Sequence, residues 1–251
     1  MSGHSKWSTI KRKKGANDAK RSAIFTQLAK AISIAAREGG GDPEMNISLR
    51  LAVDKAKAAN MPKDNIERAI KRGTGEDKDA ADLERIVYEA YASHGVALII
   101  ETVTDNRNRT VADMRRVLTR GGGSLGETGS VAWQFTQRAY FSLPANGRSE
   151  DEAYELAIEA GVEDVFYDGE NIDLFGEATD FKQISDQLRA MGVKTDDAEL
   201  RMFPNQEMDL STEKTVQVMK VIEELEELDD VQKVDSNLAI TDDALALLEA
   251  A

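Results

Sequence analysis

From residue 17 to residue 73, apolar positions recur three and four residues apart, the spacing that lines one face of an α-helix. Ile24, Leu28, Ile32 and Ala35 form the first stripe, with Asn17 as a candidate cap and Gly39-Gly40-Gly41 as a stop. Asp42-Pro43 predicts the start of a second helix, which runs past Ile47 and Leu51 and ends near Asn60. Aspartate suits the cap and proline the first helical position. Pro62 opens a third helix through Ile66 and Ile70, stopped by Gly73.

Near residue 82 the rhythm becomes strand-like. Residues 83–91 and 97–104 predict a hairpin about Ser93-His94-Gly95, residues 110–120 a helix, and residues 131–135 a third strand beyond the glycine-rich loop 121–126. A complete βαββαβ unit follows. It comprises a strand at 139–143, a helix at 149–160 with Ser149 and Glu152 placed as a capping box, and a hairpin of 162–167 with 172–175. A helix at 179–191 and a strand at 199–203 close it. Residues 212–228 are an amphipathic helix and 231–234 a short strand, the parts that the ββαβ of 82–135 lacks. The pattern therefore predicts an α+β chain. A basic arm and three-helix domain (1–78) precede two ferredoxin-like α/β sandwich domains. One is discontinuous (79–135 with 205–251), and the other is inserted into it (136–204).

Charge changes the picture. Within an acidic chain of net charge −14, residues 1–37 carry nine Lys/Arg and one acidic residue, leaving the remainder at −22. A basic arm on an acidic body reads as a polyanion-binding segment whose body stays off the same polyanion. Lys6 stands beside Trp7, and Lys11-Arg12-Lys13-Lys14 follow, with Lys20 and Arg21 beyond. Cations with a stacking aromatic suit phosphate contact plus a base or sugar face, although Trp7 could instead plug the arm into a core. A second patch, Arg107, Asn108 and Arg109 with Arg115 and Arg116, falls at a helix start. Helix amides and arginines together favour phosphate. Asp105 offers Arg109 an internal partner, so a capping and ion-pair cluster is the alternative.

Other chemistry is poorly supported. With no cysteine and two histidines, His4 and His94, the chain offers no thiolate site, no Ser/His/Asp set free of those two histidines, and no HExxH. The loop at 121–126 lacks the Gly-Lys-Ser/Thr of a P-loop. We expect no catalytic residues, no metal, no cofactor, no small-molecule substrate and no membrane partner. The longest apolar run, Val96-Ala97-Leu98-Ile99-Ile100, is far short of a span, and no apolar stretch follows the basic start as a secretory signal requires. These features suggest a cytoplasmic protein, read as a monomer because its stripes look consumed by internal packing.

Four stretches resemble the YebC family, whose organellar members are translational activators of cytochrome c oxidase. They are Met-Ser-Gly-His-Ser-Lys-Trp-Ser-Thr-Ile-Lys at the start, Met61-Pro62-Lys63-Asp64-Asn65-Ile66, Thr104-Asp105-Asn106-Arg107-Asn108-Arg109-Thr110, and Gly122-Gly123-Ser124-Leu125-Gly126 with Gly129-Ser130-Val131. The resemblance runs through essentially the whole chain. It implies the same three-domain architecture and a non-enzymatic regulator of gene expression. That regulator acts on ribosome or RNA as a translation factor or, alternatively, on duplex DNA in transcription. A protein-interaction scaffold is the third reading.

Overall fold

In the computed structural model, which describes residues 18–77 and 82–249, the helical part consists of α1 (Asp18–Gly39), α2 (Ile47–Ala58) and α3 (Lys63–Gly73). Ile32, Ala35 and Ala36 of α1 bury against Leu49, Val53 and Ala56 of α2 and Ile66 and Ala69 of α3. The second helix starts later than Asp42-Pro43 suggests. Those residues form a turn in which the Met45 and Asn46 amides donate to Asp42 O. Asn46 is the cap instead. Its Oδ1 accepts from Leu49 N at 3.1 Å, while its Nδ2 donates to Ala35 O and Gly40 O at 2.8 Å each. One buried side chain thus satisfies the ends of two helices, which a cap at Asp42 could not do. Gly73 is the last residue of α3, not a break beyond it. A Cβ there would lie 2.2 Å from Ser33 O, so glycine is what lets α3 touch α1. The candidate cap Asn17 lies outside the described residues.

The first sheet contains β1 (Glu84–Tyr91), β2 (Ala97–Thr104), β3 (Ser124–Leu125) and β8 (Val231–Ser236), in the order β3-β1-β2-β8. Helices α4 (Arg107–Arg120), α7 (Thr212–Glu226) and α8 (Asp242–Glu249) supply its core on one face. On the other face Ile34 of α1 meets Leu83 and Val103. Residues 131–135 are not a third strand. The Glu89 carboxylate accepts from the amides of Gly129 (2.6 Å), Val131 (2.6 Å) and Ala132 (2.8 Å), and it bends the chain into a 3₁₀ turn, Ala132–Gln134. The strand role passes to Ser124-Leu125 inside the glycine loop, where a Cβ on Gly123 would meet Tyr91 O at 2.3 Å.

The second sheet contains β4 (Phe135–Pro144), β5 (Asp164–Tyr167), β6 (Asn171–Glu177) and β7 (Asp197–Pro204), in the order β5-β6-β4-β7. Helices α5 (Glu150–Ala160) and α6 (Phe181–Ala190) cover one face. The expected capping box opens α5, with Ser149 N donating to Glu152 Oε2 at 2.7 Å. On the opposite face Tyr140, Phe175 and Phe203 cluster, and the Arg201 guanidinium lies 4.4 Å from the Tyr140 ring centre.

The chain is therefore α+β: a helical domain, then two ferredoxin-like α/β sandwiches, the second inserted into the first. In each sheet a βαβ crossover (β2-α4-β3 and β4-α5-β5) steps over one strand. That strand follows the crossover in the inserted sheet (β6) and precedes it in the split one (β1). The strands leaving and re-entering the insertion are tied together: Asn205 N donates to Gln134 O at 2.7 Å, and Asn237 Nδ2 reaches Gln134 Oε1 at 3.2 Å.

Candidate nucleic-acid interface

The Asp105–Thr110 patch is built from a strand end and a helix start. β2 ends at Thr104, whose Oγ1 accepts from Asn106 N at 2.9 Å. Asn106 then caps α4, its Oδ1 accepting from Arg109 N at 3.2 Å. This leaves the amides of Arg107 and Asn108 at the positive end of a 14-residue helix.

The arginines are not bare. Arg107 grips Glu84 with two bonds, Nε–Oε1 at 2.6 Å and Nη2–Oε2 at 2.7 Å. That bond holds the Glu84 carboxyl below the usual range. Arg109 Nη2 binds Asp105 Oδ1 at 2.7 Å and also reaches Asp230 at 3.1 and 3.2 Å. Asp230 is buried just before β8. It also takes Lys30 of α1 and accepts from Thr110 Oγ1 at 2.7 Å. Burial opposes its charge, but the bonds from Lys30, Thr110 and Arg109 outweigh burial and hold the carboxyl low. The capping and ion-pair alternative is thus present at Arg107 and Arg109. Arg116 pairs with Asp113 at 3.3 Å; Arg115 and Asn108 are exposed.

Two residues that bind this patch to the helical domain were not foreseen. Lys30 donates to Asp229 O at 2.9 Å, and Gln27 donates to Glu226 O and Leu228 O at 2.6 and 3.0 Å. No spacing in the sequence links positions 200 residues apart. Around these contacts is a cleft of about 480 Å³ lined by Lys30, Arg109, Arg116, Asp113, Asp229 and Asp230 among others. α1 is therefore held beside the second patch through Gln27 and Lys30. Lys6, Trp7, Lys11, Arg12, Lys13 and Lys14 lie outside the described residues, as do the side chains of Lys20 and Arg21. His94 sits in its turn, 3.3 Å from Gln217 Oε1.

A second charged cluster ties all three parts together. Lys55 of α2 binds Asp197 Oδ1 at 2.7 Å and Glu199 Oε2 at 3.4 Å on β7. Arg201 binds Glu199 Oε1 at 2.7 Å, while Lys233 of β8 binds Asp235 at 3.2 Å and Glu199 at 3.6 Å. Burial works against the Glu199 charge, but three surrounding cations hold its carboxyl well below the usual range. Burial raises that of Asp235.

The fold and this junction define a class: a three-part α+β protein whose helical domain is latched by ion pairs onto a split sandwich carrying a second sandwich. Comparison with known proteins gives the family. Residues 5–76 match the TACO1/YebC protein N-terminal domain, and residues 83–238 match the TACO1/YebC second and third domain; the chain belongs to the TACO1/YebC family. It is 52% identical over 243 residues to a probable transcriptional regulatory protein of Borrelia turicatae, covering 97% of this chain and 99% of that one. A protein of the same description from Rubrobacter xylanophilus is 50% identical over 246 residues, covering 98% of each. The crystal structure of a conserved hypothetical protein from Aquifex aeolicus superposes with a TM-score of 0.82 at 40% identity, covering 90% of this chain and 93% of that one.

Proposed function

We propose that this protein is a non-enzymatic, nucleic-acid-binding regulator of gene expression that works on the ribosome or another structured RNA. The observation that carries this reading is the charge division, nine Lys/Arg against one acid in residues 1–37 of a chain at net −14. Arm residues Lys6, Trp7 and Lys11 to Lys14 take phosphates and a base face; Asn108, Arg115 and the α4 amides add a second contact. The pairing of Arg107 and Arg109 with carboxylates speaks against their reading base edges in a DNA groove.

The second reading is a DNA-binding transcriptional regulator, favoured by the description that the relatives carry. Gradient sedimentation from gently lysed cells separates the two. Co-migration with ribosomes, lost on deleting residues 1–16, supports the RNA reading. Retention on duplex DNA with no ribosome association supports transcription. If six arm cations meet phosphates, log K falls against log[salt] with a slope of about −4 to −5. Charge reversal at Lys11 to Lys14 should flatten that slope, and an unchanged slope would sink the role of the arm.

A further inference from the structure

Helix α5 fills the inserted core with Ala153, Leu156, Ala157 and Ala160. Its other face is poorly matched to water. Ile158 is 79% exposed, and Tyr154, one turn earlier, is 50% exposed. Asp151, Glu155 and Glu159 run beside them at successive i,i+4 positions, with Glu150 before them, and the helix holds no basic residue. None of these four carboxylates has an ion-pair partner among the described residues.

Three unfavourable terms therefore share one stripe. Like charges at i,i+4 each cost a few tenths of a kcal/mol. Glu159 stands in the last turn, where the helix dipole disfavours an anion. Ile158 leaves its apolar surface in water. Among the described residues no Lys or Arg pairs with these carboxylates. A surface with an apolar residue ringed by cations would reverse all three, whereas a polyanion would worsen two. The long-range field has the same sign, since residues 136–204 contain 16 Asp/Glu and six Lys/Arg.

We propose that the outer face of α5 docks a basic protein surface. An aliphatic or aromatic residue of the partner covers Tyr154 and Ile158, while its lysines or arginines meet Asp151, Glu155 and Glu159. This contact lies on a different sandwich from α4, and it holds whether the nucleic acid of the proposed function is RNA or DNA. The protein thus bridges a nucleic acid on one side and a basic protein on another.

Two experiments test it on the full-length chain. In the first, p-benzoylphenylalanine replaces Ile158 in living cells, and adducts are identified by mass spectrometry. The expected adduct is a protein joined through a Lys/Arg-rich peptide, and it disappears in Glu155→Lys/Glu159→Lys. A nucleic-acid adduct, no adduct, or capture indifferent to charge reversal overturns the proposal. In the second, a fluorescein-labelled lysine–leucine amphipathic helical peptide serves as the probe, read by anisotropy. Glu155→Lys/Glu159→Lys and Ile158→Asp should each weaken binding at least about ten-fold. Glu213→Lys/Asp243→Lys makes the same net-charge change elsewhere and should weaken it far less; equal loss means only overall charge is sensed, against the proposal. Melting curves guard against misfolding, and the double lysine variant should melt no lower than the parent, because position 155 then attracts Asp151 and position 159 places a cation in the last turn, while the 155–159 pair stays like-charged.

Discussion

The Thr110 hydroxyl donates to the Asp230 carboxylate across 2.7 Å, joining the first turn of α4 to the approach of β8 some 120 positions later. Lys30 and Arg109 converge on the same carboxylate. Asp230→Ala strands two cations and a hydroxyl, and it should cost about 3 kcal/mol. Urea unfolding measures this. A loss well under 1 kcal/mol would show that the latch is dispensable.

Acid should open the protein. The carboxyls of Asp105, Asp230 and Glu199 are held low in the folded state. Groups with lowered values contribute stability at neutral pH and lose it as pH falls below about 4 through their folded values. Asp235, raised by burial, has the opposite sign and offsets part of the loss. Melting temperature should therefore decline below about pH 4, and Asp230→Asn should make the decline shallower. An identical slope in that variant would contradict the assignment.

Glu89→Gln tests the turn at Ala132–Gln134. Glutamine has one acceptor oxygen where three amides now converge on two. The expected cost is about 2–3 kcal/mol, with faster hydrogen exchange at Gly129, Val131 and Ala132. Unchanged protection at those amides would mean that the turn stands without the carboxylate.

Arg107 and Arg115 should separate binding from folding. The Arg107–Glu84 pair is exposed, so Arg107→Ala with Arg115→Ala should leave the melting curve unchanged. The salt slope of RNA binding should fall by about 1–2. Arg109→Ala should instead lower stability, because Arg109 bridges Asp105 and Asp230. A melting loss in the first variant would assign Arg107 to the frame.

Gly73→Ala places a methyl 2.2 Å from Ser33 O, which lies on a neighbouring helix backbone that cannot move alone. The expected loss is about 2 kcal/mol, measured by thermal unfolding.

What was legible in the chain was whatever repeats locally. The stripe through Ile32 and Ala35, the Ser149 box and the Ala97–Thr104 strand all follow from neighbours within a few residues. The errors arose where a distant group decided. Asn46 displaced Asp42 as cap because the end of α1 needed its amide. Residues 131–135 became a turn because Glu89, some 40 positions earlier, collected their amides. α8 went unnoticed because its short apolar face is defined only by the sheet it covers. At the candidate interface the arginines were legible as cations, but their partners Glu84 and Asp230 were not, since nothing local ties position 107 to 84 or 109 to 230.

The interruption of the first sheet also dictates when each part can be finished during synthesis. The inserted sandwich is complete once residue 204 has emerged, yet Leu98 of β2 waits for Ser236 as its partner across the sheet. Lys30 and Gln27 must likewise wait for residues 226–230. Such distant closures are slow, and they leave the edge of β2 uncovered while translation continues. The last stretch of chain therefore acts as a clasp. A truncation before residue 231 should release an intact inner sandwich within a host that never closes.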